Sequence, residues 1–250
     1  MTRLPAAALL LAFGLAVPAQ AFDVTSMTDA ERDAFRAEVR SYLIENPEVL
    51  MEAISVLEKR QQDAQAVNDE TLLKVNAEDL FNDGYSWVGG NPDGDVTIVE
   101  FSDYRCGYCR KAFPEVSELV ESDGNIRFVV KEFPILGDDS TASSRFAIAV
   151  KQVAGDDAYK TAHDALITLR GKATNETLRR MAVDMGLDAD AVMAQMNAPE
   201  VDEVIRKNHE LAQRLQISGT PTFVMDDRML RGYVPLDGMR EIVKDIRAGG

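Results

Sequence analysis

Two cysteines occur in the 250 residues, and they stand three apart as Cys106-Gly107-Tyr108-Cys109. On a helix that spacing sets two thiols about one turn apart on one face, where they can close a disulfide or exchange with one. The reactive form of a thiol is the thiolate, which the unpaired N–H groups and positive dipole at a helix start favour. Cys106 is thus the candidate nucleophile, and Cys109 the thiol placed to resolve a mixed disulfide formed on it. Stapling of an exported protein would require further cysteine pairs, and the sequence has none. The competing reading is thiolate metal binding, as half of a zinc site or a copper-sequestering pair. A closed zinc site takes four ligands, whereas the only histidines, His163 and His209, stand alone in helical patterns and receive no chemical role. No metal and no cofactor is expected.

The elements that must hold the pair are legible around it. Val96, Ile98, Val99 and Phe101 form an apolar run that ends in a short polar turn before Cys106. This pattern predicts a buried strand feeding a helix whose first turn carries both cysteines. Asn91-Pro92-Asp93-Gly94 marks a turn after an edge strand near Ser86 to Val88. Gly124-Asn125 turns the chain into a second apolar strand, Ile126 to Phe133, which Pro134 ends. From 137 to 216 the apolar spacing is helical throughout, so this stretch reads as a helical insertion. Strand character returns from Ile217 to Val224, with Asp226-Asp227 as a hairpin turn, Met229 to Val234 as the partner strand, and a last helix after Pro235. The catalytic domain is therefore expected over 83–250.

The start of the chain reads differently. Residues 1–21 have the form of a secretory signal: Arg3, an apolar core from Leu4 to Val17, and Ala19-Gln20-Ala21 at the cleavage site. No later segment reaches eighteen apolar residues, so the processed chain is expected to have no membrane span. The formal net charge of −15 speaks against nucleic-acid partners.

Residues 22–82 read as an acidic helical extension, with six basic against fourteen acidic residues. Thr28 and Glu31 form a capping-box pattern, and Phe35, Val39, Tyr42 and Leu43 then share one face. Asn46-Pro47 is expected to stop that helix and start another, with Asn as its cap and Pro at its first position. Leu50, Ile54 and Leu57 continue the stripe, which fades from Gln61 to Ala64, and a third short helix is expected to hold Leu72, Leu73, Leu80 and Phe81. Stripes this thin bury little by themselves, so they either pack back onto the catalytic domain or, as expected of this extension, meet copies of themselves in a homo-oligomer.

The order of strand, CxxC helix, strand, helical block, Thr-Pro, hairpin and terminal helix resembles the thioredoxin fold with a helical insertion, as in the DsbA-like disulfide oxidoreductases. The resemblance covers about Trp87 to Gly250 and rests on FSDYRCGYCR, KEFPILG and ISGTPTFV. The extension is similar to that of the ScsC branch. The resemblance implies an α/β thioredoxin fold and a periplasmic thiol:disulfide interchange protein. Its partners would be cysteine-containing exported proteins and a membrane redox partner. It also implies roles by position. Glu100, six residues before Cys106, would be a buried acid able to take the proton of Cys109. Thr220-Pro221 would be a cis-proline pair beside Cys106, with Thr220 backbone groups free for an extended substrate. Gly107 and Tyr108, with Thr220, match the pattern of DsbC-type isomerases, which favours isomerase or reductase work over net oxidation. The departure is that a DsbC-type enzyme dimerises through a β-rich module, and this extension reads as helical.

Overall fold

The computed structural model describes residues 24–249, so the signal-like segment 1–21 lies outside the described residues. The chain divides at Lys59/Arg60 into two compact units. In the first, α1 (Asp29–Glu45) opens with the capping box: Glu31 N–H donates to Thr28 Oγ1 at 3.3 Å and Thr28 N–H to Glu31 Oε2 at 2.9 Å. Asn46 acts at the opposite end from the one expected. Its side chain donates to the Tyr42 carbonyl at 2.9 Å and caps the C-terminus of α1, while Pro47 stands one residue before α2 (Glu48–Val75). α1 buries none of its residues, and Tyr42, Ile44, Leu50, Met51, Ile54 and Leu57 are all exposed.

α2 runs across the division without a break and includes Leu72 and Leu73, so the third helix, α3 (Ala77–Phe81), is shorter than expected. No glycine or proline interrupts 48–75, so the fading apolar stripe marks solvent exposure and not a helix end. In the second unit the end of α2 is held by Asp69, a buried carboxylate that receives both Arg231 guanidinium nitrogens at 2.5 and 2.9 Å. Two parallel charge-assisted bonds fix direction as well as position.

The rest of that unit follows as β1 (Trp87–Gly90), β2 (Val96–Ser102), α4 (Gly107–Asp123), β3 (Ile126–Glu132), α5 (Asp138–Ala154), α6 (Asp156–Thr168), α7 (Asn175–Asp184), α8 (Ala189–Gln195), α9 (Pro199–Arg214), β4 (Thr222–Met225), β5 (Arg228–Arg231) and α10 (Leu236–Gly249). The sheet order is β1-β3-β2-β4-β5, with β2 and β3 parallel and every other pair antiparallel. β2 is central, and its side chains alternate between two buried faces. Val96 and Ile98 pack with α4 and α10, through Ala112, Val116, Leu119, Met239 and Val243. Val99 and Phe101 pack on the other face with Leu73, Leu80, Leu211 and Leu215. The block α5 to α8 builds a third cluster around Phe146, Tyr159, Leu166 and Leu178. This is the thioredoxin-like α/β fold with its helical insertion between β3 and β4. Among the described residues no helix is long and apolar enough to cross a membrane.

Candidate functional site

β2 ends at Ser102, and the chain turns through Asp103, Tyr104 and Arg105 before α4 begins. Asp103 is fully buried and organises that turn: its carboxylate accepts from Arg105 N–H at 2.8 Å, Ile135 N–H at 2.8 Å, Leu136 N–H at 3.1 Å and Ser140 Oγ at 2.7 Å. Arg110 closes it from the helix side, with Nε on the Tyr104 carbonyl at 2.8 Å and a terminal nitrogen on the Leu169 carbonyl at 2.7 Å. Cys106 is thereby set at the N-cap of α4, in extended backbone with φ −73° and ψ 121°.

A sulfur at that position lies at the end of the helix where the first-turn N–H groups are unpaired, although it makes no capping hydrogen bond. Both thiols are free. The Cys109 thiol beside it holds the Cys106 thiol down at about 5 against the opposing effect of burial, with smaller contributions from Thr220 and from the first-turn N–H groups of Cys109 and Tyr108. Cys109 is the reverse case. Its hydrogen bond to Cys106, its burial and the nearby Glu100 carboxylate push it far above an ordinary thiol. The pair is therefore asymmetric, with one standing thiolate and one buried thiol.

The Thr220–Pro221 peptide is cis. The Thr220 carbonyl lies 3.2 Å from Cys106 Sγ and accepts from it when the thiol is protonated. One of the Thr220 backbone groups expected to be free for substrate thus faces the cysteine instead. Gly107 and Tyr108 are both exposed; a Cβ at Gly107 would meet nothing within 4 Å, and Tyr108 is 63% accessible. Glu100 is buried on the α4 face of β2, and desolvation raises its carboxyl to about 7. It lines a cavity of about 360 Å³ together with Trp87, Phe113, Phe128 and His163. All seven residues singled out from the sequence thus belong to the two segments that meet at Cys106, 100–109 and 220–221.

Three further residues adjoin the site. Tyr104, Glu132 and His163 are buried, and the Tyr104 hydroxyl is hydrogen-bonded to both of the others. Among the described residues no group of three or more His, Cys, Asp or Glu side chains gathers as a metal site.

The asymmetry has a measurable consequence. An ordinary thiol with a pKa of 9.0 is about 1% ionised at pH 7, and one at about 5 is about 99% ionised, a gain of about a hundredfold for the reduced state. At about 30 mV per tenfold for two electrons, that makes the disulfide about 60 mV more oxidising. The folded pKa is depressed, so this stabilisation of the reduced fold is complete above about pH 9 and is lost as pH falls through about 5. Reduction then takes up one proton, not two, between those limits. The reduction potential measured against glutathione is expected to fall by about 30 mV per pH unit from pH 6 to 8. A slope of about 60 mV would mean that Cys106 stays protonated.

Residues 97–244 match the family model of the DSBA-like thioredoxin domain, and residues 31–64 match that of the Copper resistance protein ScsC N-terminal domain. Among solved structures, a thioredoxin-like oxidoreductase from Silicibacter pomeroyi DSS-3 is 42% identical, with a TM-score of 0.64 over 68% of this chain and 97% of that one. BcfH of Salmonella enterica Typhimurium is 27% identical, with a TM-score of 0.71 over 86% of this chain and 95% of that one. Among curated proteins, Na(+)/H(+) antiporter NhaA 1 of Salinispora arenicola (strain CNS-205) is 29% identical over 65% of this chain, and the chain spans only 25% of that protein's length. The first family match covers more than half of the chain and includes the strand, the CxxC helix and the Thr-Pro loop, so the chain belongs to the DsbA-like thioredoxin family.

Proposed function

We propose that this chain is a periplasmic thiol:disulfide interchange protein that acts on cysteine-containing exported proteins, with isomerase or reductase work ahead of net oxidation. The observation that carries the reading is the meeting of a stabilised Cys106 thiolate with the Thr220-Pro221 loop, 3.2 Å from sulfur to carbonyl. The thiolate attacks a client disulfide: the Cys106–client S–S bond forms, the client S–S bond breaks, and the departing sulfur keeps the electron pair. Cys109 then gives its proton to Glu100 and attacks Cys106, which releases the second client sulfur. Gly107, Tyr108, Thr220 and Pro221 border the sulfur that the client meets. An isomerase needs its thiolate standing ready in the reduced form, and a thiol held at about 5 supplies it at neutral pH; because the same depression makes the disulfide more oxidising, the order of roles rests on the Gly107-Tyr108 and Thr220 pattern. A membrane redox partner would restore the reduced pair. The test is reduction of insulin and refolding of scrambled ribonuclease by the processed chain. Retention of Cu(I) at sub-nanomolar affinity with no acceleration of exchange would overturn the reading in favour of copper sequestration.

The extension is read as an oligomerisation segment. Tyr42, Ile44, Leu50, Met51, Ile54 and Leu57 expose apolar surface along α1 and the start of α2, and contiguous exposed apolar surface marks interaction sites. Two or more active sites on one assembly raise the local concentration of thiolate around a misfolded client. In the full-length chain, Ile54→Glu with Leu57→Glu is expected to give a monomer by light scattering. That variant should keep its insulin reduction and lose at least about tenfold in ribonuclease isomerisation. A wild-type chain that is already monomeric would remove the basis for this part.

A further inference from the structure

Glu132 is a further buried acid of the second unit, 4% accessible, and the exchange steps above do not use it. Its placement relative to Glu100 follows from strand register. Glu100 pairs with Val130 and Ser102 with Glu132, so the two carboxylates stand on one face of adjacent parallel strands as diagonal neighbours. A strand spacing of about 4.8 Å and a two-residue rise of about 6.6 Å put their Cα atoms about 8 Å apart. Tyr104 and Tyr159 each donate a hydroxyl to Glu132 Oε1 at 2.6 Å. Tyr104 also meets His163 Nδ1 at 3.0 Å, and it lies two residues before the nucleophile in the turn that Arg110 clamps. Glu132 Oε2 makes no hydrogen bond among the described residues.

Resting on the thiol-exchange reading, we propose that Glu132 is a positioning residue for the resolving step: its charge decides when Glu100 can take the Cys109 proton, and the two carboxylates titrate as a pair. With Glu132 ionised, repulsion keeps the proton on Glu100. With Glu132 protonated, Glu100 ionises more readily; the Cys109 S–H bond then breaks, the Glu100 O–H bond forms, and the new thiolate attacks the Cys106 sulfur.

Other charges act on the pair as well: Cys106 raises Glu100 alongside Glu132, and Asp103 raises Glu132. Asp103 and Tyr104 face Glu132 from the turn after β2, Tyr159 and His163 from α6, and Asn208 from α9, with Lys151 of α5 lining the same cleft. Lys151 is already paired with Asp156. Glu100 is faced by Ser102 on its own strand and by Cys106 and Cys109, with His163 and Lys160 across the cavity. Burial pushes His163 down to about 4, so it brings no cation at neutral pH. Burial likewise raises Glu132 to about 7, against the hydrogen bonds from Tyr104 and Tyr159, and so brings it level with Glu100. The Glu132 charge is one of the causes that raise the Glu100 carboxyl, and like charges on one strand face couple their titrations.

The experiment is an NMR pH titration of the full-length chain with ¹³C-labelled glutamate carboxyls, in the oxidised form so that neither cysteine titrates. Glu132→Gln is expected to lower the Glu100 midpoint by about 1.5 pH units, the size expected for unit charges at the Cα spacing of about 8 Å and an effective dielectric of about 20. Coupling is reciprocal, so Glu100→Gln should lower the Glu132 midpoint by the same amount. Tyr104→Phe, which removes one donor to the carboxylate, should raise the Glu132 midpoint and lower that of Glu100. A purely structural Glu132 would move neither midpoint. Midpoints within about 0.2 units of wild type in both Gln variants would overturn the proposal. If Glu132→Gln does not fold, the Glu100→Gln arm decides alone. Insulin reduction by the wild-type chain is measured alongside: its absence removes the exchange reading, whereas its presence with unmoved midpoints removes only the role of Glu132.

Discussion

Cys106→Ala is expected to reduce insulin reduction by on the order of a thousandfold or more, because nothing else in the site can replace the lost thiolate. Cys109 cannot. It is 1% accessible, and its thiol is pushed far above the normal range by its hydrogen bond to Cys106, by burial and by Glu100. Cys109→Ala has a different signature. The chain still attacks client disulfides through Cys106, but it cannot release the product, so mixed disulfides with client proteins accumulate on non-reducing gels. Alkylation separates the two sulfurs without any mutation. One equivalent of iodoacetamide at pH 6 should label Cys106 alone, since it is ionised there and Cys109 is not. Full activity in Cys106→Ala, or equal labelling of both sulfurs, would remove the mechanism.

The parts of the fold readable in the sequence are those specified by local pattern. β2 shows its apolar run, α4 is introduced by the polar turn before Cys106, and α5 to α9 carry helical spacing. The errors came where local signals admit two outcomes. Asn46 can cap either neighbouring helix, and tertiary placement chose the C-terminus of α1. The fading stripe predicts a separate helix where α2 in fact continues. Its final turns are buried by partners distant in sequence, Arg231 above all, which sits 162 residues from Asp69.

The site divides in the same way. Spacing alone brings Cys106 and Cys109 into view, and the family resemblance implies Glu100 and Pro221 by their positions in its motifs. Glu132, Tyr104 and His163 are joined by hydrogen bonds that span 28 and 59 residues, which no local pattern records. Their signals were nonetheless present. Lys131-Glu132 places two charges directly after the apolar run Phe128-Val129-Val130, and buried charges need partners. His163 falls at i+4 from Tyr159 with Leu166 at i+7, which is the buried stripe of α6 and not a solvent face.

Glu100→Gln is the change that asks most of the resolving step. Only a carboxylate can accept the Cys109 proton, and desolvation holds Glu100 at about 7. In the wild type the rate of Cys109 attack should therefore rise as pH rises through about 7 and level off above it. Glutamine keeps the shape and the chance of a hydrogen bond near Ser102 but accepts no proton, so the rate at pH 8 should fall by about a hundredfold, the lower end of what a positioned base contributes. The inflection near 7 should vanish, leaving a rate that climbs with hydroxide toward the ionisation of Cys109 itself. Stopped-flow reaction of the reduced chain with Ellman's reagent reads this directly, because the first released thiolate reports attack by Cys106 and the second reports attack by Cys109. The first phase should be nearly unchanged in the variant. A second phase with wild-type rate and an intact inflection would move the base away from Glu100, and its diagonal neighbour Glu132 would be the carboxylate left to account for it.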